Sequence, residues 1–159
     1  MKITRTAFLI GLTAVLIAPG SAEENSAAKK DLAALQGEWS MVSGSADGQP
    51  MPEQIREQMK RICKSDELTA MMGGQLIFKA KITLDPSKKP KTIDYEMIEG
   101  PTKGKKQLGI YEVEGDTLKS CFAKPGAERP TDFTSEPGQG RTLTVWKREK
   151  PTAPPPEKK

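Results

Sequence analysis

The sequence of 159 residues contains no histidine and only two cysteines, Cys63 and Cys121. The missing histidine excludes catalytic triads that need one and zinc or iron sites that histidine would hold. Two cysteines are too few for a four-cysteine zinc site. No Gly-x-Ser-x-Gly segment is present, and the glycine-rich segment 100–105 lacks the spacing of a phosphate-binding loop. We therefore predict that the protein is not an enzyme and has no catalytic residue, cofactor or metal ion.

The chain also lacks an apolar run long enough for a membrane helix. The N-terminal run from Ala7 to Ala18 has 12 residues, against the roughly 20 that span a bilayer. Lys2 and Arg5 precede it, and the small residues 20–22 follow. This order is typical of an export signal, so we expect a signal peptide over residues 1–22 rather than a membrane anchor. The mature protein is then exported, periplasmic or secreted, and has no membrane span.

The charge of the mature chain is nearly balanced. Removal of the leader leaves 137 residues, in which 23 basic side chains face 21 acidic ones. This balance argues against a nucleic-acid partner. Two loops carry lysine clusters, and solvation is the interpretation we favour for both: Lys88, Lys89 and Lys91, and Lys103, Lys105 and Lys106.

Composition divides the rest of the chain into three parts. Residues 23–31 are small, polar and charged, which predicts a spacer after the cleavage site. Residues 150–159 hold four prolines among Lys and Glu, and this Pro/Lys-rich composition favours a disordered, solvated tail. Residues 32–149 remain as one globular domain.

The domain has mostly the period of two that is typical of strands with one buried face. Glycine- or aspartate-containing turns separate the alternating segments, which include 75–84, 91–98, 108–113, 117–123 and 141–148. Residues 52–61 differ, because Ile55, Met59 and Ile62 follow a helical spacing. We predict a mainly β fold, a closed antiparallel barrel of about eight strands with one short helix after the first strand.

Three segments carry a resemblance to a known family. They are LQGEWSMVSGSADGQPMP (35–52), TLDPSKKPKTIDYEMIEGPTKGKKQLGIYEVEGDTLKSCFA (83–123) and RPTDFTSEPGQGRTLTVWKREK (129–150). Together they resemble the lipocalin-like domain of unknown function found in many exported planctomycete proteins. This resemblance implies a lipocalin-like β-barrel and export, and it implies no activity.

The resemblance also assigns structural roles. Gly37 and Trp39 match the Gly-x-Trp motif that begins the first strand of lipocalin-type barrels. The resemblance implies that the glycine permits a close approach and that the tryptophan closes one barrel end against a basic side chain of the last strand. Arg141 or Arg148 would supply that cation.

The two cysteines leave two alternatives open. Export would bring Cys63 and Cys121 into an oxidising compartment, where two thiols in one small domain are often joined. Alternatively, they lie on strands that never bring their Cα atoms within the roughly 7 Å that a disulfide needs.

The barrel interior can be filled by side chains or can leave room for one ligand. The inward candidates are mostly large and apolar: Leu76, Phe78, Ile82, Ile93, Tyr95, Met97, Leu108, Ile110, Leu118 and Phe122. Glu112 has two alternatives. It would be buried if it faces the same side as Leu108 and Ile110. A local bulge that turns Tyr111 and Val113 inward would instead expose it, and we favour exposure. If a cavity exists, we expect Ile55, Met59 and Met72 to line its mouth, because flexible methionines adapt to varied apolar shapes.

Two functions follow from these expectations. The first is a monomeric, non-catalytic binding module for a small apolar or amphipathic ligand or for an envelope protein. The second is an exported protease-inhibitor-like or other protein-interaction domain. The architecture alone does not separate them.

Overall fold

A computed structural model describes residues 20–150. Most of the predicted leader (residues 1–19) and most of the predicted tail (residues 151–159) lie outside the described residues. None of the helices within 20–150 is long and apolar enough to cross a membrane.

The described chain forms two helices and nine strands. The helices are α1 (Gly20–Leu35) and α2 (Glu53–Gln58). The strands are β1 (Gly37–Ala46), β2 (Gln49–Pro50), β3 (Met59–Lys64), β4 (Glu67–Met72), β5 (Gln75–Asp85), β6 (Lys91–Glu99), β7 (Lys106–Glu114), β8 (Thr117–Ala123) and β9 (Arg141–Arg148).

Eight of these strands close into a barrel. Strands β3 to β9 pair antiparallel with their neighbours in chain order, and β1 pairs with both β3 and β9. The two-residue β2 pairs only with β1. Closure gives each of the eight strands a neighbour on both sides, so no long strand edge is left to pair with another chain. The predicted mainly β, closed antiparallel barrel with one short helix after the first strand is confirmed.

The two ends of the barrel differ in what covers them. Strand β1 starts next to α1 and ends next to the turn that leads to α2. We call the two ends of the barrel the α1 end and the α2 end. Residues 23–31, which we expected as a spacer, have helical backbone and belong to α1.

The short helix is shorter than its spacing predicts. We expected it over residues 52–61, but α2 ends at Gln58 and β3 begins at Met59. Met59 pairs with Met72 and Arg61 with Ala70, so the hydrogen bonds of β4 take over where the helix would continue. In so short a segment, the spacing of four and three residues is compatible with both a helix and a strand. The pairing of β3 with β4 decides which of them forms.

Most inward candidates lie in the interior, and three do not. Phe78, Ile82, Ile93, Tyr95, Met97, Leu118 and Phe122 all belong to the interior cluster or pack against it. Leu76 is 40% exposed, because a bulge between Ala70 and Met71 shifts the pairing of β4 with β5.

Strand β7 has the opposite phase from the one suggested by Leu108 and Ile110. Tyr111 and Val113 face the interior cluster, and Glu112 is exposed, as we favoured. Gly109 also faces inward, since a Cβ there would lie 2.5 Å from the Phe122 ring. Ile110 is buried outside this cluster. The loop 124–140 covers the outer face there, and Arg129 donates to the Gly109 carbonyl at 2.8 Å.

A candidate ligand cavity at the α2 end

The α1 end of the barrel is sealed around Trp39. The ring is fully buried, and its Nε1 donates to the Leu35 carbonyl at the end of α1 over 2.9 Å. The Arg148 guanidinium lies 4.2 Å from the centroid of the Trp39 ring. Gly37 has φ +103°, and a Cβ there would stand 3.5 Å from Arg148 Nη1. This geometry fits the roles that the resemblance implies for Gly37, Trp39 and Arg148.

Each nitrogen of the Arg148 guanidinium donates a hydrogen bond. Its Nη1 and Nη2 donate to the Gln36 and Ala34 carbonyls, and its Nε donates to Asp116 at 3.0 Å. These carbonyls lie in the last turn of α1 and in the residue that follows it, where no further helical N–H is available. Arg141, the other candidate cation, instead pairs with Asp132 at 3.0 Å.

A buried carboxylate ties α1 to the barrel wall. Asp31 accepts a hydrogen bond from the Tyr111 hydroxyl at 2.6 Å and one from Lys91 Nζ at 2.7 Å. Burial raises the pKa of Tyr111, and the bond to Asp31 raises it further. Lys91, one of the clustered lysines, begins β6 with its side chain 41% exposed, and it pairs with this buried carboxylate.

The α2 end contains a cavity of about 200 Å³. Its apolar wall consists of Met41, Met51, Met59, Leu68, Ala70, Phe78, Tyr95, Phe122 and Trp146. Its polar lining consists of Arg61, Gln107, Ser120, Thr142 and Thr144. Side chains therefore fill the barrel interior at the α1 end, whereas a cavity remains at the α2 end. Each of the two alternatives, a filled interior and one with a cavity, describes one end of the barrel.

Of the three predicted mouth residues, only Met59 lines this cavity. Ile55 and Met72 are each 38% exposed and point away from it. The other methionines of the wall are Met41 and Met51, whose sulfurs lie 3.0 and 2.8 Å from the position of a Cβ on Gly44. The absence of a side chain at Gly44 leaves these flexible side chains room at the cavity wall.

Most polar groups of the cavity already have partners. Trp146 Nε1 donates to Thr144 Oγ1 at 2.9 Å, and Thr144 Oγ1 lies 3.0 Å from Ser120 Oγ. Gln107 Nε2 donates to the Ala123 carbonyl at 2.9 Å. A ligand would not need to satisfy these atoms.

Arg61 is the exception. The residue is 2% exposed, and its guanidinium carbon lies 5.5 Å from the centroid of the Trp146 ring. Among the buried side-chain nitrogens and oxygens of residues 20–150, only Arg61 Nε and Nη2 lack a hydrogen-bond partner. The ion pairs found within the described chain do not include Arg61. A buried cation without a carboxylate partner is costly, so its place in a cavity wall is informative.

Arg61 also influences its buried neighbours. Burial raises the pKa of the Tyr95 hydroxyl, and the positive charge of Arg61 and a hydrogen bond between the two side chains oppose this rise. Burial likewise raises the pKa of the Cys63 thiol, against the same charge. Among the residues that the structure describes, no carboxylate lines this cavity.

The two cysteines are free thiols. Cys63 belongs to the interior cluster, where its sulfur lies 3.5 Å from Gln36 Nε2. Cys121 is buried outside that cluster and contacts the Thr134 carbonyl of the loop 124–140 at 3.4 Å. The barrel wall separates the two sulfurs, so the structure contains no Cys63–Cys121 disulfide.

Arg61 is not among the predicted site residues, because the segment 52–61 is assigned to a helix on its spacing. Met59, Arg61 and Cys63 occupy alternate positions, which is the strand signal that would have placed Arg61 inside. The residues 20–150 contain no group of three or more acidic or cysteine side chains suited to a metal ion.

We compared the chain with protein-family models, with curated proteins and with solved structures. No family model, no curated protein and no solved structure matches the chain.

Proposed function

We propose that the protein is a non-catalytic binding module that takes one small amphipathic molecule into the cavity at the α2 end. The observation that carries the proposal is the cavity of about 200 Å³ itself, with its mostly apolar wall and single unpaired cation. Engineered apolar cavities of about 150 Å³ bind benzene. A guest of similar or slightly larger size suits this volume.

The adaptable part of the wall supports a binding role. Three methionines line the cavity, and methionine side chains reshape at low cost around apolar guests. Hydrogen bonds among Ser120, Thr144 and Trp146 hold another part of the wall in place. The resemblance to the lipocalin-like family supports the barrel scaffold, and the proposed ligand comes only from the cavity.

We also propose that the protein acts outside the cytoplasm, on the basis of the leader pattern in residues 1–22. The mass of the protein recovered from the envelope and the medium of its host tests this. A chain that begins at Glu23 supports export, and a full-length chain in the cytoplasmic fraction argues against it.

The chain's methionines provide the test of ligand binding. We would label their methyl groups with ¹³C and titrate the folded protein with toluene. The Met41, Met51 and Met59 signals should shift with saturation at one toluene per chain, while those of Met71 and Met72, outside the cavity, should stay in place.

A matched pair of variants locates the site. Ala70→Leu places a larger side chain in the cavity and should abolish the shifts, whereas Ala46→Leu, at an exposed position of β1, should leave them intact. Toluene binding that survives Ala70→Leu, or no binding by the wild type, would contradict the proposal.

A further inference from the structure

We infer that the ligand of this cavity is a small monocarboxylate whose charged group pairs with Arg61. The inference rests on the proposed function, because it names the chemical class that the same cavity would hold. Its basis is a guanidinium that is nine-tenths buried or more, lines the cavity, and has two nitrogens without partners.

A comparison within the molecule shows that these free donors are unusual. Arg148 and Arg61 both lie over a tryptophan ring, at 4.2 and 5.5 Å from the centroid. Arg148 also donates to Asp116 and to the carbonyls of Ala34 and Gln36 at the end of α1. Arg61 has the aromatic face of Trp146 without an acidic partner, although it is more deeply buried than Arg148.

The chemistry of the cavity selects among anions. Arginine presents a planar fork of donors that matches the two oxygens of a carboxylate. Ser120, Thr144 and Gln107 Nε2 in the wall are already bonded to each other or to the backbone. A guest with one carboxylate and an otherwise apolar body would therefore accept hydrogen bonds from Arg61. It would bring no other polar group that needs a partner in the cavity.

The volume limits the size of the apolar body. Because benzene occupies an engineered cavity of about 150 Å³, a cavity of about 200 Å³ suits roughly eight or nine non-hydrogen atoms. Benzoate and hexanoate have this size. Long-chain fatty acids exceed it unless their tails extend through the mouth of the cavity.

Calorimetric titration with benzoate and its neutral isostere benzamide tests the inference at neutral pH. We expect wild-type protein to bind benzoate at least about tenfold more tightly than benzamide. Arg61→Met should remove this preference and still bind toluene, and Arg61→Lys, which keeps a charge without the fork, should retain part of it. The ratio measured on the wild type does not depend on whether either variant folds.

The outcomes separate the two proposals. If toluene binds but benzoate and benzamide bind the wild type equally, the carboxylate inference fails and the cavity remains a binding site. The carboxylate inference also fails if the preference for benzoate persists in Arg61→Met. If toluene, benzoate and benzamide all fail to bind, the proposed function fails as well.

Discussion

Trp39 and Trp146 each lie under an arginine, yet the two rings serve different purposes. Trp39 is fully buried and connects α1 to β1 through its bond to the Leu35 carbonyl. Trp146 lines the cavity and leaves its arginine with free donors. At the residue scale, the Trp39 pair seals one end of the barrel, and the Trp146 pair places unpaired donors in the cavity wall.

Trp39→Ala should lower the free energy of unfolding by roughly 3–5 kcal/mol, because it removes a large, fully buried ring. Urea denaturation measures the loss. Trp39→Phe keeps the apolar ring and loses mainly the bond to Leu35, so it should cost about 1 kcal/mol. A Trp39→Ala protein as stable as the wild type would contradict the sealed end.

The two arginines should respond to the same substitution with opposite signs. Arg61→Met replaces a buried cation that has no carboxylate partner with an unbranched apolar side chain and should raise the free energy of unfolding by about 1 kcal/mol. Arg148→Met leaves the carbonyls of Gln36 and Ala34 without donors and should lower it by about 2 kcal/mol. Thermal melting of both variants checks the signs. Destabilisation by Arg61→Met would mean that Arg61 serves the fold.

At the scale of elements, α1 is held by a specific polar contact as well as by packing. Asp31→Ala removes the partner of the buried Tyr111 hydroxyl, and we expect a loss of about 2 kcal/mol. In Tyr111→Phe, where no hydroxyl needs a partner, the same change should cost much less. A double-mutant cycle measures this coupling, which should reach at least about 1 kcal/mol.

A matched control distinguishes this contact from a surface pair. Asp132 forms an ion pair with Arg141, but its side chain is 57% exposed. Asp132→Ala should therefore change stability by no more than about 0.5 kcal/mol. No coupling between Asp31 and Tyr111 would show that residues 23–31 behave as the spacer that their composition suggested.

Alternation of apolar and polar residues between turns predicts the bounds of several strands. The bounds of β8 and β9 follow directly from alternation, and those of β5 and β6 nearly so. Strand β7 is buried on both faces, by the interior and by the loop 124–140, so Leu108 and Ile110 indicated the wrong phase. Helix α1 has little apolar asymmetry, and its contacts with distant strands, such as those of Asp31 with Tyr111 and of Ala34 with Arg148, have no local signal.

The residues of the candidate site are harder to predict from the sequence than the strands, because they depend on how the strands pair. Met59 was predicted to line the cavity, while Ile55 and Met72 lie outside it. Arg61 faces the interior because β3 pairs with both β1 and β4, with Arg61 opposite Trp39 on one side and Ala70 on the other. The set of side chains that line the cavity therefore depends on the register in which the strands pair.

At the scale of the whole molecule, burial makes the fold sensitive to alkaline pH. Burial raises the pKa of Cys63 and Cys121 above 9.0, and that of Tyr95 and Tyr111 above 10.0. The folded protein then keeps protons that the unfolded chain releases. Their contribution to stability is complete below about pH 8 and is lost as the pH rises through these values.

Urea denaturation from about pH 8 to about pH 11 should show this loss, with each group contributing at most about 1.4 kcal/mol per pH unit. Tyr111→Phe removes one of the four groups and should give a shallower slope above about pH 10. A stability that stays constant over this range would mean that these groups are accessible to water.

The barrel as a whole is sealed at the α1 end and contains a cavity of about 200 Å³ at the α2 end. A crystal structure of the protein grown with benzoate tests this account most directly. The account predicts one benzoate inside the barrel, with its ring against Met59 and Phe78 and its carboxylate within hydrogen-bond distance of Arg61 Nη2. A barrel whose side chains fill the α2 end, or a benzoate bound only on the outer surface, would contradict it.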